Sequence, residues 1–410
     1  AAFHGSSARS LALLDRARTS GLEVSLDAYP YDAGCSTALV LLPPAAPAGQ
    51  GNLRQLPPAE SQGTTLVSTA DGVYSLDWQT GPSGLIRYTR WDTGVSVPLC
   101  ARRGCTHSDG SCPAFVEGDR WLLYGANGRL LLLEQGDGDI RAIWAVAPDG
   151  TGRTLLTRCP ERENQPLTSL LWEDDTGFWF ELMDLTDGTS HIAFLPAGGT
   201  ELTVSPAQPG RLLQAADGIR YSLDFPQGQM VFQATDLHTG VTTTLCTVSD
   251  QWTFLLRDNC LYFCDWQDDC ALYTKSLGNT DPPVLRCQLE SLGGSSYAWP
   301  VEARGSRLVL ERAGAQWAVN LDTGARVWVQ PAWMQPGTDG PCGAYPQVEE
   351  GSYSTTSALV MGYGRSESWY STGNYGELTR VEGLQMVPCL LDVDAWLQGQ
   401  VRLTDVTELP

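Results

Sequence analysis

A turn residue recurs along this chain. Gly72, Gly128, Gly177, Gly218, Asn259, Gly305 and Gly351 each lead into a short run rich in aromatic and β-branched residues, at steps of 56, 49, 41, 41, 46 and 46 residues. A unit of about 45 residues holds four short strands; such a sheet buries its faces only by stacking on its neighbours, which is how the ring of a β-propeller is built. The segments ADGVYSLDW (70–78), ADGIRYSLD (216–224) and DNCLYFCDW (258–266) pass from turn residues into roughly alternating apolar and polar positions, the pattern of a strand with one face buried. A second landmark comes about twenty residues later in WDTG (91–94), DLHTG (236–240) and LDTG (321–324), with weaker versions in PDGTG (148–152) and LTDG (185–188). Glycine accepts a positive φ and Asp hydrogen-bonds its own turn, so these are hairpin signals. Two hairpins per unit predict an all-β chain, a β-propeller of seven four-stranded blades over residues 62–400. Six blades, or a sandwich with evenly spaced turns, are the competing readings. The last unit, about 340–395, contains GSYSTTS and SALVMGYG and is less regular, as expected of the blade that closes a ring.

Composition narrows the class of partner. Forty-three glycines and 25 prolines supply the turns, and 14 tryptophans supply bulk for packing between blades. A formal charge of −21 with a single lysine, Lys275, excludes a nucleic-acid binder, because phosphates require clustered cations. No stretch is long and apolar enough to cross a membrane as a helix. The acidity serves a solvated surface or a field that attracts cations or basic peptides. The expected partner is a protein, peptide or glycan, met by a monomeric propeller. Trp172, Trp252, Trp266 and Trp369 are candidate contact residues, although core packing is the ordinary fate of tryptophan.

The strongest chemical constellation closes the first unit: Cys100, Cys105, His107 and Cys112 fall within thirteen residues. Three thiolates and one imidazole form a ligand set for a closed, tetrahedral structural zinc site, and a single residue between Cys105 and His107 can present two donors if the loop bends. A disulfide with one free thiol, or an unpaired buried set, remains open on the same residues. Elsewhere Cys260 and Cys264 share a strand face, and Cys264 and Cys270 flank a turn that a disulfide could bridge. Cys35, Cys159, Cys246, Cys287, Cys342 and Cys389 are isolated. Twelve cysteines in 410 residues are too sparse for a disulfide scaffold. The carboxylate pairs Asp174-Asp175, Asp268-Asp269 and Glu349-Glu350 fall at turns, where acids are normally solvated. With no nucleophile elbow, phosphate loop or dinucleotide fingerprint, no catalytic residue is assigned. A hydrolase or lyase assembled from several blades is the alternative.

The N-terminus follows a different pattern. Residues 7–20, SARSLALLDRARTS, read as an amphipathic helix with Ser6 or Ser7 as cap and Gly21 as stop, followed by the strand-like LEVSLDAYPY. Residues 11–44, from LALLDRARTSG through Tyr29-Pro30-Tyr31 and Asp32-Ala33-Gly34 to Leu41-Leu42-Pro43-Pro44, resemble a late stretch of the N-acyl-D-amino-acid deacylase branch of the amidohydrolases. That family holds zinc with a His-x-His pair. Here His4, His107, His191 and His238 form no such pair, and His4 reads as a loop residue. A complete (β/α)₈ barrel needs about 200 residues or more, so residues 1–58 are expected to be an α/β fragment and linker without the family's metal site. A second resemblance rests on VPLCARRGCTHSDGSCPAF (97–115) and CLLDVDAWLQGQ (389–400), which are similar to segments of uncharacterised β-propeller surface lipoproteins of Gram-positive gut bacteria. It implies a non-catalytic, surface-attached, extracytoplasmic propeller. The lipid-bearing signal peptide expected of such proteins is not seen in this sequence.

Overall fold

A computed structural model describes residues 66–329 and 357–408, less short stretches within them, with the backbone alone for 357–387. All belong to one compact unit, Gln50–Pro410. Residues 1–58, Gly128, Asn259 and Gly351 lie outside the described residues.

Among the described residues seven sheets follow one another along the chain, antiparallel except for one pair of strands. Blade 1 contains β1 (Leu66–Ser68), β2 (Gly72–Trp78), β3 (Ser83–Arg90), β4 (Val95–Pro98) and β5 (Phe115–Glu117). Blade 2 is β6 (Trp121–Ala126), β7 (Arg129–Gly136), β8 (Asp139–Val146) and β9 (Arg153–Arg158); blade 3 is β10 (Leu167–Asp174), β11 (Gly177–Asp184), β12 (Thr189–Pro196) and β13 (Thr203–Gln208). Blade 4 is β14 (Arg211–Ala216), β15 (Ile219–Asp224), β16 (Gln229–Asp236) and β17 (Thr242–Ser249). Blade 5 is β18 (Phe254–Arg257), β19 (Cys260–Asp265), β20 (Ala271–Ser276) and β21 (Val284–Gln288). Blade 6 is β22 (Ala298–Arg304), β23 (Arg307–Arg312), β24 (Ala315–Asn320) and β25 (Arg326–Trp328). The seventh sheet has three strands, β26 (Ser357–Thr372), β27 (Leu378–Asp392) and β28 (Leu403–Asp405), with a one-turn helix α1 (Val393–Trp396) between the last two. The final strand, β29 (Thr407–Glu408), returns to blade 1 and pairs in parallel with β4. This sequential order with return of the last strand to the first sheet is that of a β-propeller, and the first strands of blades 1 and 2, 2 and 3, 3 and 4, and 5 and 6 lie side by side.

The apolar clusters explain the stacking. In β7 the run Leu130-Leu131-Leu132-Leu133 alternates between two environments: Leu130 and Leu132 pack with Tyr74, Ile86 and Val116 of blade 1, and Leu131 and Leu133 with Leu170, Phe178 and Phe180 of blade 3. Successive side chains of a strand point to opposite faces, so a continuous apolar run marks a strand buried on both. Each further interface between neighbouring blades, from 3/4 to 6/7, has its own cluster. Trp396 of α1 is fully buried against blade 6, where its indole N–H donates to Gln316 Oε1 at 3.0 Å.

The recurrent turn residues fall where the first strand of each blade turns into the second. Gly72, Gly177, Gly218 and Gly305 occupy that position in blades 1, 3, 4 and 6. WDTG, PDGTG, DLHTG and LDTG turn the third strand into the fourth in blades 1, 2, 4 and 6. LTDG departs from this: it joins β11 to β12, the second strand to the third, and residues 197–202 make the later turn of blade 3.

Candidate metal centre

Cys100, Cys105, His107 and Cys112 lie inside the fourth strand of blade 1, not after it. That strand is split. β4 pairs with β3 at Arg87↔Pro98 and Thr89↔Ser96, and β5 pairs with the other half of β3 at Ser83↔Glu117 and Leu85↔Phe115. Between them residues 100–113 leave the sheet. Ile86 of β3 holds both ends: its C=O accepts from Leu99 N and its N–H donates to Ala114 O, each at 2.8 Å.

Short bonds fold the excursion back on itself. Cys105 N donates to Arg102 O (3.3 Å) and Cys112 N to Asp109 O (3.0 Å), while Asp109 Oδ1 accepts from Ser111 N (2.8 Å). Gly104 and His107 both have left-handed backbones (φ +69° and +53°); a single residue of this kind reverses the chain locally, so the one-residue spacing between Cys105 and His107 can serve one centre. The four ligand atoms lie within 4.8 Å of one another, with His107 Nδ1 3.3 Å from Cys112 Sγ. In a tetrahedral Cys₃His zinc site the ligand atoms stand roughly 3.8 Å apart, so a small contraction completes the geometry. Cys100, Cys105 and Cys112 carry free thiols and form no disulfide with one another.

The surroundings treat the three thiols unequally. Cys100 Sγ accepts from Arg102 N at 3.4 Å. The backbone N–H of His107 bonds Cys105 and holds its thiol below the usual cysteine range. Burial pushes Cys112 up to about 12 and also raises Cys100, against opposing bonds from the Ala114 and Arg102 amides respectively. Burial, together with the charge of Arg87, lowers the His107 pKa and leaves a neutral imidazole able to act as a ligand. Arg153 adds a fixed cation beside Cys112. Its guanidinium lies over Trp121 and Trp144, 5.9 and 5.7 Å from the ring centroids, and donates to Phe115 O at 2.9 Å.

The other described candidates make contacts within and between blades. Asp174 Oδ1 accepts from the amide and hydroxyl of Thr176, each at 2.7 Å, and Asp174 Oδ2 lies 3.7 Å from His238 Nε2, whose ring packs edge-on to Trp179. His191 contacts Thr189 Oγ1 (3.0 Å) and Ser205 O (2.9 Å). Trp172 packs against the cluster between blades 3 and 4. Trp252, Trp266, Cys270, Asp268-Asp269 and Glu349-Glu350 lie outside the described residues, and only the backbone of Trp369 is described. Sequence reasoning missed three charged contacts between blades: Glu173 with Arg129 at 2.8 Å, Glu181 with Arg220 at 2.8 Å, and Glu302 with Arg257 at 3.6 Å. Their signal is an acid inside an apolar strand, as in GFWFELMD around Glu181.

No family model and no curated protein matches this chain. Among solved structures it is similar to a protein from Lactobacillus plantarum at 12% identity, over 84% of this chain and 98% of that one, with a TM-score of 0.38. It is similar to a chain of a nidogen/laminin complex at 11% identity, over 60% and 89%, TM-score 0.33, and to the tricorn protease at 10%, over 83% and 40%, TM-score 0.28. None of the three carries an amidohydrolase or lipoprotein name. At such identities and scores they carry no argument about activity, and the architecture rests on this chain's own sheet order. That order and the cluster define a β-propeller with a Cys₃His group set into the outer strand of its first blade. Among the described residues no helix is long and apolar enough to cross a membrane.

Proposed function

We propose that this protein is a non-catalytic β-propeller interaction module whose first blade is held by a structural zinc ion on Cys100, Cys105, His107 and Cys112. The observation that carries the zinc is the convergence of three free thiols and one imidazole within 4.8 Å. The non-catalytic reading is supported by the use of Glu173, Glu181, Glu302, Asp174, His191 and His238 in contacts within and between blades. The partner is a protein, peptide or glycan met at the blade surfaces by a monomer. An extracytoplasmic location is supported by the resemblance of residues 97–115 and 389–400 alone.

Bound zinc would supply a cross-link, not a reaction: four protein ligands leave no open position for substrate. Metal analysis of chelator-free protein is expected to find one zinc per chain. Cys112→Ala and His107→Ala should each lose more affinity than the ~10–100-fold that follows from deleting a residue that only orients a ligand. Full zinc retention in both variants would overturn the site. Turnover of peptide, ester or glycoside substrates that vanished in His238→Ala would overturn the non-catalytic reading.

A further inference from the structure

We infer that metal occupancy of the Cys₃His cluster governs closure of the propeller ring. This rests on the zinc reading above and adds a regulated state to it. The excursion stands where three parts of the molecule meet. First, β4 is the strand on which the ring closes. β29 pairs with it at Thr407↔Val95 and Glu408↔Ser96, Thr407 N donates to Gly94 O at 2.8 Å, and Cys100 follows two residues after β4 ends. Second, the excursion rests on blade 2: Ala101 N donates to Gly150 O at 2.9 Å, and a Cβ on Gly150 would stand 2.7 Å from Cys100 N. Arg153 of β9 reaches across to Phe115 O. Third, buried Arg87 of β3 bonds Ser96 Oγ and Ser96 O at 3.2 and 3.3 Å and lies 4.0 Å from Glu408 of the closing strand.

The coupling follows from the shortness of the pairings that join these pieces. β4 has four residues and β29 two, and the two halves of the split strand are joined through the pair of bonds to Ile86. Parallel pairing of two residues is weak unless its template is rigid. A metal on all four ligands binds only conformations in which both ends of the excursion are in place, and by mass action it stabilises the edge that receives β29. Without it, β4 lies between two loosely held segments, and local opening of the seam is the lowest-cost excursion from the native state.

The test uses the full chain, zinc-loaded or stripped by chelator under reducing conditions, and follows hydrogen exchange by mass spectrometry. In the stripped protein, amides of residues 95–99, 114–117, 147–153 and 403–408 are expected to exchange at least about 10-fold faster, with blades 3–5 unchanged. Faster exchange confined to residues 100–113 would overturn the coupling while leaving the zinc site intact. Faster exchange in every blade would overturn it as well, because the metal would then be a requirement of the whole fold. Protein that binds no zinc would overturn the reading beneath it. Coupling is reciprocal in binding free energy, so Thr407→Pro, which deletes the amide bonded to Gly94 O, should weaken zinc affinity, read by equilibrium competition with a chromogenic chelator, by about 5-fold or more. An unchanged affinity in a folded variant would sink the proposal.

Discussion

Arg220 shows what single residues contribute beyond apolar packing. Its side chain is fully buried between blades 3 and 4, where Nε and Nη2 meet the two carboxylate oxygens of Glu181 at 2.9 and 2.8 Å, and the carbonyls of Pro209 and Gly210 accept further bonds. Ser190 also bonds Glu181. Desolvation of such a pair is balanced only while both charges and their hydrogen bonds are present. Arg220→Ala is therefore expected to lower unfolding free energy by about 3–5 kcal/mol, and Glu181→Leu with Arg220→Leu by much less. Denaturant melts of the three proteins check this; equal losses in the single and double variants would contradict it. These partners stand 39 positions apart, and nothing local in either segment pairs them. The Cys/His cluster was legible because its four members lie within thirteen residues, so one loop can gather them. That Ile86 would split a strand around that loop was not legible, because strand pairing is decided between segments.

At the level of elements, the hairpin turns use one chemistry. Asp236 Oδ1 accepts from the amides of His238 and Thr239, and Asn320 Oδ1 from those of Asp322 and Thr323, while Gly240 and Gly324 close each turn with positive φ. The turn at Asp184 works in the same way. The Thr186 hydroxyl, then Gln165 Nε2 at 2.7 Å and the Thr186 amide hold its carboxyl down at about 2. The unfolded chain returns it to about 3.9. A depressed folded value makes its stabilising contribution complete above about pH 4 and lost as pH falls through about 2. The urea midpoint of Asp184→Asn should thus trail the parent by a constant gap from pH 7 to pH 5, and the gap should close on further acidification. A gap independent of pH would mean that the charge plays no part. This same likeness of turns placed LTDG with the wrong pair of strands: turn residues report local backbone demand and carry no label for the strands they join.

For the whole molecule, stability comes from faces shared between blades and, among the described residues, from a short seam at the return to blade 1. Each interface from blade 1 to blade 7 has a buried apolar cluster, while the return to blade 1 is made by β29 on β4 and by Leu390 and Asp405 beside Gly94. Removing residues 403–408 is expected to lower Tm by roughly 5 °C or more and, by exposing the β4 edge, to promote self-association. Calorimetry and light scattering read both effects, and an unchanged monomer with the parent Tm would show that the seam adds nothing. By itself the sequence determined the blade repeat, the strand-to-strand turns other than LTDG, and the gathering of Cys100, Cys105, His107 and Cys112 in one loop, because each depends on residues close along the chain. Only the tertiary structure decided the split of β4 and β5 around Ile86, the buried ion pairs between blades and the meeting of the closing strand with the cysteine loop. Those contacts join segments tens to hundreds of residues apart, where packing of whole sheets, rather than local preference, selects the partner.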